Sequence, residues 1–366
     1  MMLPIVMLLK EILGFNDTIY RTVVGLGYMI IYPGLLLVVV IAALMLWAER
    51  KIVALVQLRY GPLWVSRRIG GALQGFADLI RFSFQEVIIP RRSDVIPFLL
   101  SPGLAILFSM LPLAFIPISP SIHPPVYSDL ALLVVIAIIS LAPIFIVIMG
   151  WASDNKFAFV GSLREALLIV SYEIPLIISI ISMAVIYRSL DFYEIVERQY
   201  MLPGMILNPF AFIASFIAVL RTTSRFPFEI SEAESEIVAG PYTEYSGLMF
   251  GLSMGLAYIK LYVYTLILSL VFLGGWLPLQ GGEGILLGFL APSLVVIIKL
   301  SLLSLVAVFL RAIYGRYRLD QAVRLGWIYV LGLSIVSLIW SLALVYGGWV
   351  RWSRGWGSRK ESWIYY

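Results

Sequence analysis

Long unbroken apolar runs, separated by short polar stretches, dominate this chain. They lie near residues 22–48, 97–118, 128–150, 163–187, 207–223, 244–274, 288–311 and 325–347. A helix needs roughly 20 apolar residues to cross about 30 Å of hydrocarbon. The runs are continuous rather than alternating, which argues against a β-barrel. The pattern predicts an all-α integral membrane protein of about eight transmembrane helices, forming a single multi-span membrane domain over residues 1–366. Pro and Gly punctuate the span ends at Pro117, Pro120, Pro203-Gly204, Gly274-Gly275 and Gly347-Gly348. Pro102, Pro112, Pro143 and Pro175 fall inside spans and should kink helices that their neighbours support. One segment has a different period. Residues 69, 72, 73, 76, 79, 80 and 84 share one helical stripe, with Gln74, Asp78, Arg81 and Gln85 opposite. That spacing predicts an amphipathic helix near 69–84 lying at the membrane surface, for which a plain interfacial anchor is the simplest role.

Composition agrees with lipid as the solvent. The chain is 61% hydrophobic and 13% charged, against about a quarter charged in an ordinary soluble domain, and its mean hydropathy is +0.98. There is no cysteine, which excludes disulfides, thiolate metal sites and Cys-ligated iron–sulfur clusters in this chain. The single histidine, His123, sits in a Pro-rich loop and cannot form a multi-His metal site. Redox chemistry is therefore expected on a partner or on a bound organic molecule. The N-terminal ten residues lack a basic region ahead of their apolar run, so they read as a short interfacial helix rather than a cleaved signal peptide.

The net charge of +5 needs no nucleic-acid partner, because positive-inside loops produce it. With the loop after the first span placed in the cytoplasm, sixteen of the 26 Lys and Arg residues fall on that side and eight on the other. Both termini are then expected outside, with the large loops cytoplasmic. The basic tail 348–366 runs against this bias, so the orientation rests on the internal loops.

Rare charges in a membrane protein mark function or a partner. Here they gather in the loops. Five carboxylates, Glu229, Glu232, Glu234, Glu236 and Glu244, fall within 16 residues between two apolar spans. Read as a helix, this segment places Glu229, Glu232 and Glu236 on one face. Crowded carboxylates at low dielectric raise one another's pKa and can take up and release protons. A structural reading stands beside it: Ser231 and Glu234 fit a helix capping box, and Glu232 suits a helix N-terminus. Glu173, Lys260 and Lys299 lie inside spans. Each is a functional candidate, or else one half of a static buried pair such as Glu173 with Lys260.

Four separated blocks carry a family resemblance. The first is Glu49-Arg50-Lys51 through Gln57-Leu58-Arg59-Tyr60-Gly61-Pro62, with Ala77-Asp78. The second is Gly150-Trp151-Ala152-Ser153-Asp154-Asn155-Lys156, with Ser171-Tyr172-Glu173. The third runs Arg225-Phe226-Pro227-Phe228-Glu229, then Glu232 through Gly240, then Thr243-Glu244-Tyr245. The fourth is Arg311 with Arg316-Tyr317-Arg318-Leu319-Asp320-Gln321. In order and spacing these resemble the subunit 1 family of respiratory complex I (the H-type membrane subunits), shared more distantly with membrane-bound hydrogenases. Two positions depart from the family's pattern: Ala257-Tyr258, with Lys260 close by, where Glu-Tyr is common, and Ser224 where Asn commonly precedes the Arg.

The resemblance implies the membrane subunit of a proton-translocating NADH:quinone oxidoreductase-like complex, acting only within that complex. It implies a quinone chamber near the cytoplasmic surface, bordered by Arg50, Arg59, Asp78, Phe226 and Phe228. It implies a proton path through Glu173, Glu229, Glu232, Glu236, Glu244 and Lys260, and partner docking at Arg225, Arg316, Arg318 and Asp320. Quinone would be the bound substrate, with no metal or iron–sulfur cluster in this chain. Expected partners are membrane lipid, peripheral iron–sulfur and quinone-site subunits, small membrane subunits and antiporter-like subunits, in a prokaryotic cytoplasmic membrane. The Gly-Trp-Ala-Ser block and the Glu-rich loop resemble the quinone-reducing branch more than the hydrogenase branch. A membrane anchor of a hydrogenase or sulfur-reducing complex without quinone stays open as an alternative. A stand-alone secondary transporter is a further one, disfavoured by the absence of inverted repeats.

Overall fold

The computed structural model describes residues 35–120, 124–279 and 290–348. The N-terminal segment, the start of the first predicted span, His123 and the basic tail from 349 onward lie outside the described residues. Within them the chain is helical, with no strand. We number nine helices: α1 Leu35–Val56, α2 Gln74–Phe84, α3 Val95–Ala114, α4 Ala131–Ala152, α5 Lys156–Tyr187, α6 Pro209–Thr222, α7 Gly247–Phe272, α8 Ala291–Ile313 and α9 Leu319–Tyr346.

Six of these, α3, α4, α5, α7, α8 and α9, are long and apolar enough to cross a membrane. Of the eight expected spans, six are full-length among the described residues. The other two expected positions hold shorter or more charged helices. Helix α6 has 14 residues, about 21 Å at 1.5 Å per residue. The described part of α1 is 22 residues long and runs on through Glu49, Arg50 and Lys51, where the apolar window ends. It continues because each of those charges has a partner: Glu49 is buried against arginines, Arg50 meets Asp78, and Lys51 donates to the Tyr60 carbonyl at 2.9 Å.

Helix α7 is the axis of the bundle. Every residue from Ile259 to Phe272 is buried, as expected of a helix that is apolar all round. It packs against α1, α2, α3, α6 and α8. Helix α5 is the second organiser and packs against α4, α6 and α9. It starts seven residues before the predicted span, because the Asn155 side chain caps it by accepting from the Phe157 N–H at 2.8 Å.

The four span prolines behave in two ways. Pro143 sits in the first turn of a helical segment that restarts after a turn, and Pro112 opens a short 3-10 turn. Pro102 and Pro175 stay inside continuous helices. Pro175 has no N–H to offer the carbonyl of Ser171. Gly326 of α9 lies against that carbonyl so closely that a Cβ would stand 2.9 Å from the oxygen. Here α9 loosens into a π-helical stretch, Leu325–Val330, and the Tyr172 hydroxyl donates to the Ala322 carbonyl at 2.8 Å.

Lys299 resolves one of the intramembrane charges as structural. Its ammonium donates to the carbonyls of Leu273, Gly275 and Leu277 at 2.7, 2.8 and 2.7 Å. These carbonyls belong to the turn that ends α7, where a cation also complements the helix dipole. Replacing Lys299 by Met leaves three carbonyls without their donor and should cost roughly 2–4 kcal/mol. Thermal unfolding of the detergent-extracted protein checks this, with a lower midpoint expected.

Candidate functional site

Most of the charged residues converge at one end of the bundle, formed by the C-terminal ends of α1, α4, α6 and α8 and the N-terminal ends of α5, α7 and α9. Its wall is the amphipathic helix α2. The chain reaches α2 through a tight turn at Gly71, where φ is +80° and a Cβ would stand 2.5 Å from the Pro62 carbonyl oxygen. The Trp47 indole N–H donates to the Gly70 carbonyl at 2.9 Å and pins the same turn. Helix α2 lies on α1 and α7, with Gly75 buried against Ala43. Its Asp78 faces Arg50 of α1, its Phe76, Leu79 and Phe82 line the cavity beside it, and Ile80 and Phe84 are exposed.

Between α1, α2 and α7 lies a cavity of about 790 Å³. Most of its wall is apolar, including Val39, Leu46, Phe76, Ile106 and Phe250. Glu49, Arg50, Arg59, Asp78 and Arg311 supply its polar side. Arg50 donates to Asp78 at 2.5 Å, and Gln74 donates to the other Asp78 oxygen at 3.0 Å. Arg50, Arg59 and Asp78 thus fall on one cavity, as the sequence grouped them. Phe226 and Phe228 do not line it. The Phe226 ring lies under the guanidinium groups of Arg311 and Arg316, each 5.5 Å from its centre. Phe228 is core, its ring 5.2 Å from Tyr172 and 5.7 Å from Tyr317.

At the inner end of the cavity two arginines hold Glu49. Arg225 and Arg311 each make an ion pair with its carboxylate, and Arg311 reaches Glu229 at 3.5 Å. Arg225 also stacks over Tyr258, with its guanidinium 4.3 Å from the ring centre. Arg225 was expected at a docking surface; it is 2% exposed and bonded inward. Arg318 and Asp320 lie on the exposed surface, 3.6 Å apart. Arg316 is part-buried against Phe226.

The acidic loop departs from the helix that its spacing predicts. Only Glu234–Ile237 is helical, its N-cap is Ala233, and no side chain caps it. The Ser231–Glu234 capping box therefore does not form, and Glu229, Glu232 and Glu236 share no helical face. The loop is instead held to its surroundings. Arg164 pairs with Glu236 at 2.6 Å, the Asn155 side-chain amide donates to Glu244 at 2.5 Å, and the Tyr317 N–H donates to the Pro227 carbonyl at 3.0 Å. Long-range attachments rather than helical propensity set its path, which spacing along the chain does not encode. Glu232 is part-buried, and withdrawal from water pushes its carboxyl up to about 8. The charges of Glu229 and Glu165 add to that rise, against Lys260 and Arg225.

Behind the loop lies a second charged group, fully inside the bundle. Arg221 and Glu165 are both 1% exposed and pair through two side-chain bonds, at 2.8 and 3.3 Å, plus a bond to the Glu165 backbone carbonyl at 3.2 Å. The static pair inside the membrane domain is thus Glu165–Arg221, not Glu173–Lys260. Lys260 is 1% exposed, and neither its ammonium nor Oε1 of Glu173 has a hydrogen-bond partner among the described residues. Sequence reasoning passed over Glu165, Glu49 and Arg221 as site residues. Glu165 had a usable signal, since it lies inside the predicted span 163–187, eight residues before Glu173 on one long helix. Among the described residues no group of His, Asp or Glu could hold a metal ion.

A helical bundle with six apolar spans and most of its charged residues at one end is an integral membrane protein. A model of the family described as NADH dehydrogenase matches residues 29–342. The H-type subunit of the NADH-quinone oxidoreductase of Syntrophotalea carbinolica is 35% identical over 348 residues, covering 92% of this chain and 99% of the relative. Its namesake from Dehalococcoides mccartyi is 36% identical over 316 residues, covering 86% of this chain and 85% of the relative. The H-type subunit of the F(420)H(2) dehydrogenase of Methanosarcina acetivorans is 33% identical over 306 residues, covering 81% and 87%. The chain belongs to the NADH dehydrogenase family of membrane subunits, as a complex I-like subunit that works within a multi-subunit enzyme rather than alone.

The raised Glu232 carboxyl gives a pH test. In the folded chain it keeps its proton up to about 8, whereas the unfolded group loses it near 4.5. Stability from this group is therefore full below about 4.5 and falls as pH rises toward 8. Glu232→Gln mimics the protonated form. Its unfolding midpoint should match wild type at pH 4.5 and exceed it at pH 8, as a thermal series across that range would show.

Proposed function

We propose that this chain forms the quinone chamber and part of the proton path of a proton-translocating, complex I-like oxidoreductase. The carrying observation is the cavity between α1, α2 and α7, with its apolar wall and a polar end at Glu49, Arg50, Arg59, Asp78 and Arg311. An apolar tail fits the wall, and a polar ring fits the charged end, where convergent donors fix its orientation. The names of the quinone-oxidoreductase relatives support the same substrate class. Electrons come from partner subunits, because the chain has no cysteine for iron–sulfur ligation. On this reading the charged end faces the cytoplasm. The exposed Arg318 and Asp320 and the loop after α1, with Tyr60 and Trp64 exposed, meet the peripheral subunits.

The chemistry assigned to this chain is binding and proton handling. Arg50, held by Asp78, and Arg59 orient the quinone head. Arg311, shared between Glu49 and Glu229, is the electrostatic link from the chamber to the acidic loop. A change of charge on the quinone head alters the field on that arginine, and so the proton affinity of Glu229 and Glu232 behind it. Glu236 and Glu244 continue the acidic loop, and Glu173 and Lys260 carry the path into the bundle. A relative named for F(420)H(2) favours one further reading of the donor side: the donor is chosen by the partners, and this chain performs the same task with either donor.

Two outcomes test the assignment in the purified complex. Gly255 lines the cavity, and a Cβ there meets nothing within 4 Å. Gly255→Phe should raise the KM for quinone several-fold without impairing electron transfer to a soluble artificial acceptor; an unchanged quinone KM removes quinone from this cavity. In proteoliposomes, Glu173→Gln and Glu236→Gln should each lower the number of protons moved per electron more than they lower electron transfer to that acceptor. A wild-type ratio in an assembled complex takes the residue off the path.

A further inference from the structure

Helix α6 is too short to cross a bilayer unaided. At about 21 Å it falls roughly 9 Å short of a hydrocarbon layer of about 30 Å. The Arg221–Glu165 pair fixes its C-terminal end at the charged end of the bundle, so the missing length lies at its N-terminal end, away from the cavity. Three bonds set the level at which α6 begins. The Asn208 side-chain amide donates to the Ser337 carbonyl and to the Ser341 hydroxyl, both at 2.9 Å. The Trp340 indole N–H donates to the Leu207 carbonyl at 3.0 Å. Residues 337–341 come before the last residue of α9, Tyr346, by about 8–14 Å at 1.5 Å per residue. Helix α6 therefore starts inside the level at which α9 ends, by about the length that it lacks.

The segment that leads in, residues 199–208, runs beside the last turns of its neighbours rather than above them. Gln199 donates to the Leu270 carbonyl of α7 at 2.7 Å and accepts from the Gly204 N–H at 3.1 Å. Gly204 is wedged between α5 and α7, where a Cβ would stand 2.7 Å from both the Tyr187 hydroxyl and the Val271 carbonyl oxygen. The polar side chains of the segment, Gln199 and Asn208, are buried. Tyr200, Met201, Leu202, Met205 and Ile206 are exposed, with Met201 89% exposed at the tip. No charge occurs between Arg198 and Arg221. A contiguous apolar patch of this kind is uncommon on a surface that faces water. Hydrocarbon sets the opposite requirement: apolar side chains outward and backbone polar groups satisfied from within. Four N–H groups after Pro203 are bonded inside the segment. Those of Ile206 and Leu207 donate to the Pro203 carbonyl, that of Asn208 to the Gly204 carbonyl and that of Ala211 to the Asn208 side chain. Trp340 and Tyr346 of α9 are exposed at the same end, and these are residue types that settle at a membrane interface.

We propose that residues 200–206 form a wedge inserted among the acyl chains of the leaflet on the side away from the cavity, a lipid-contacting turn that completes the short crossing of α6. Phospholipid hydrocarbon is the occupant that this surface fits. Among its side chains the patch offers a partner protein no charge and a single hydroxyl, that of Tyr200, to fix an orientation, whereas acyl chains need neither. Asn208, Gln199 and Trp340 supply inside the protein the hydrogen bonds that water would supply to an ordinary loop.

The test uses the complete complex in membrane fragments open to both sides. Because the chain has no cysteine, a charged maleimide on its gel band reports an introduced thiol alone. In Met201→Cys, with assembly checked by native gel, labelling should be roughly ten-fold or more slower in the membrane than after denaturation in SDS, since lipid excludes the charged reagent. In the wild-type complex, a diazirine dissolved in the lipid and activated by light should leave carbene adducts on the peptide that holds Met201 and Ile206. Slow labelling together with adducts supports the proposal. Maleimide labelling as fast as in SDS overturns it, because the turn is then in water. Slow labelling without adducts also overturns it, because a partner subunit then covers the turn. If Met201→Cys does not assemble, Ile206→Cys supplies the same comparison.

Discussion

The compensation of a few buried charges organises this molecule more than any single apolar contact. Glu49 is held by Arg225 and Arg311, which ties α1 to the acidic loop and to α8 at one point. A carboxylate taken out of water without partners costs several kcal/mol. Two arginines remove that cost here and in turn fix the three segments that carry them. The cavity closes at this point, the acidic loop starts its path from it, and Phe226 is stacked beneath two of the surrounding arginines. Loss of one partner would leave the others as unpaired buried charges, so the end of the bundle stands as a unit.

The same rule separates structural charges from those free to act. Lys299 is held by three carbonyls, and Arg221 by three hydrogen bonds to Glu165 through its two terminal nitrogens. Lys260 is buried and Glu173 part-buried, and neither the Lys260 ammonium nor Oε1 of Glu173 has such a bond among the described residues. Charges with complete hydrogen bonding hold a fold in one state; those without it can change protonation at small structural cost. From the cavity inward, the chain runs from exposed ion pairs at Arg50 and Asp78, through the shared Arg311, to the unbonded groups deeper in. This gradient is what coupling requires, since a change at the cavity must alter proton affinity further in without unfolding the helices between.

The cavity and the acidic loop also divide the work of the helices. Helix α2 lends Asp78 to the polar end of the cavity and Phe76, Leu79 and Phe82 to its apolar wall, with Ile80 and Phe84 exposed. Helix α7 supplies the opposite wall at its N-terminal half and the buried charge, Lys260, at its middle. One helix thus borders both the cavity and the buried cluster, which places them on a continuous rigid element.

Some of this was legible along the chain. Apolar run length gave the membrane class, because lipid demands about 20 uninterrupted apolar residues and nothing else in a protein does. The 69–84 stripe marked α2, and the grouped motifs pointed to the family and placed Arg50, Arg59 and Asp78 together. Where α1 extends beyond its apolar window, the sequence misled, since a charge ends a hydropathy window but does not end a helix once it has a partner; α5 starts early because Asn155 caps it ahead of its window. Glu229, Glu232 and Glu236 looked like one helical face, yet Arg164, Asn155 and Tyr317 from distant segments pull that loop out of helical form. By itself, then, the sequence determined the solvent, the helical class and which residue types are rare enough to matter. Only the tertiary structure decided that Glu165 rather than Glu173 holds the buried arginine, that Lys299 is a cap and Lys260 is not, and that Arg225 points inward, because partner choice among buried charges depends on which helices meet in space.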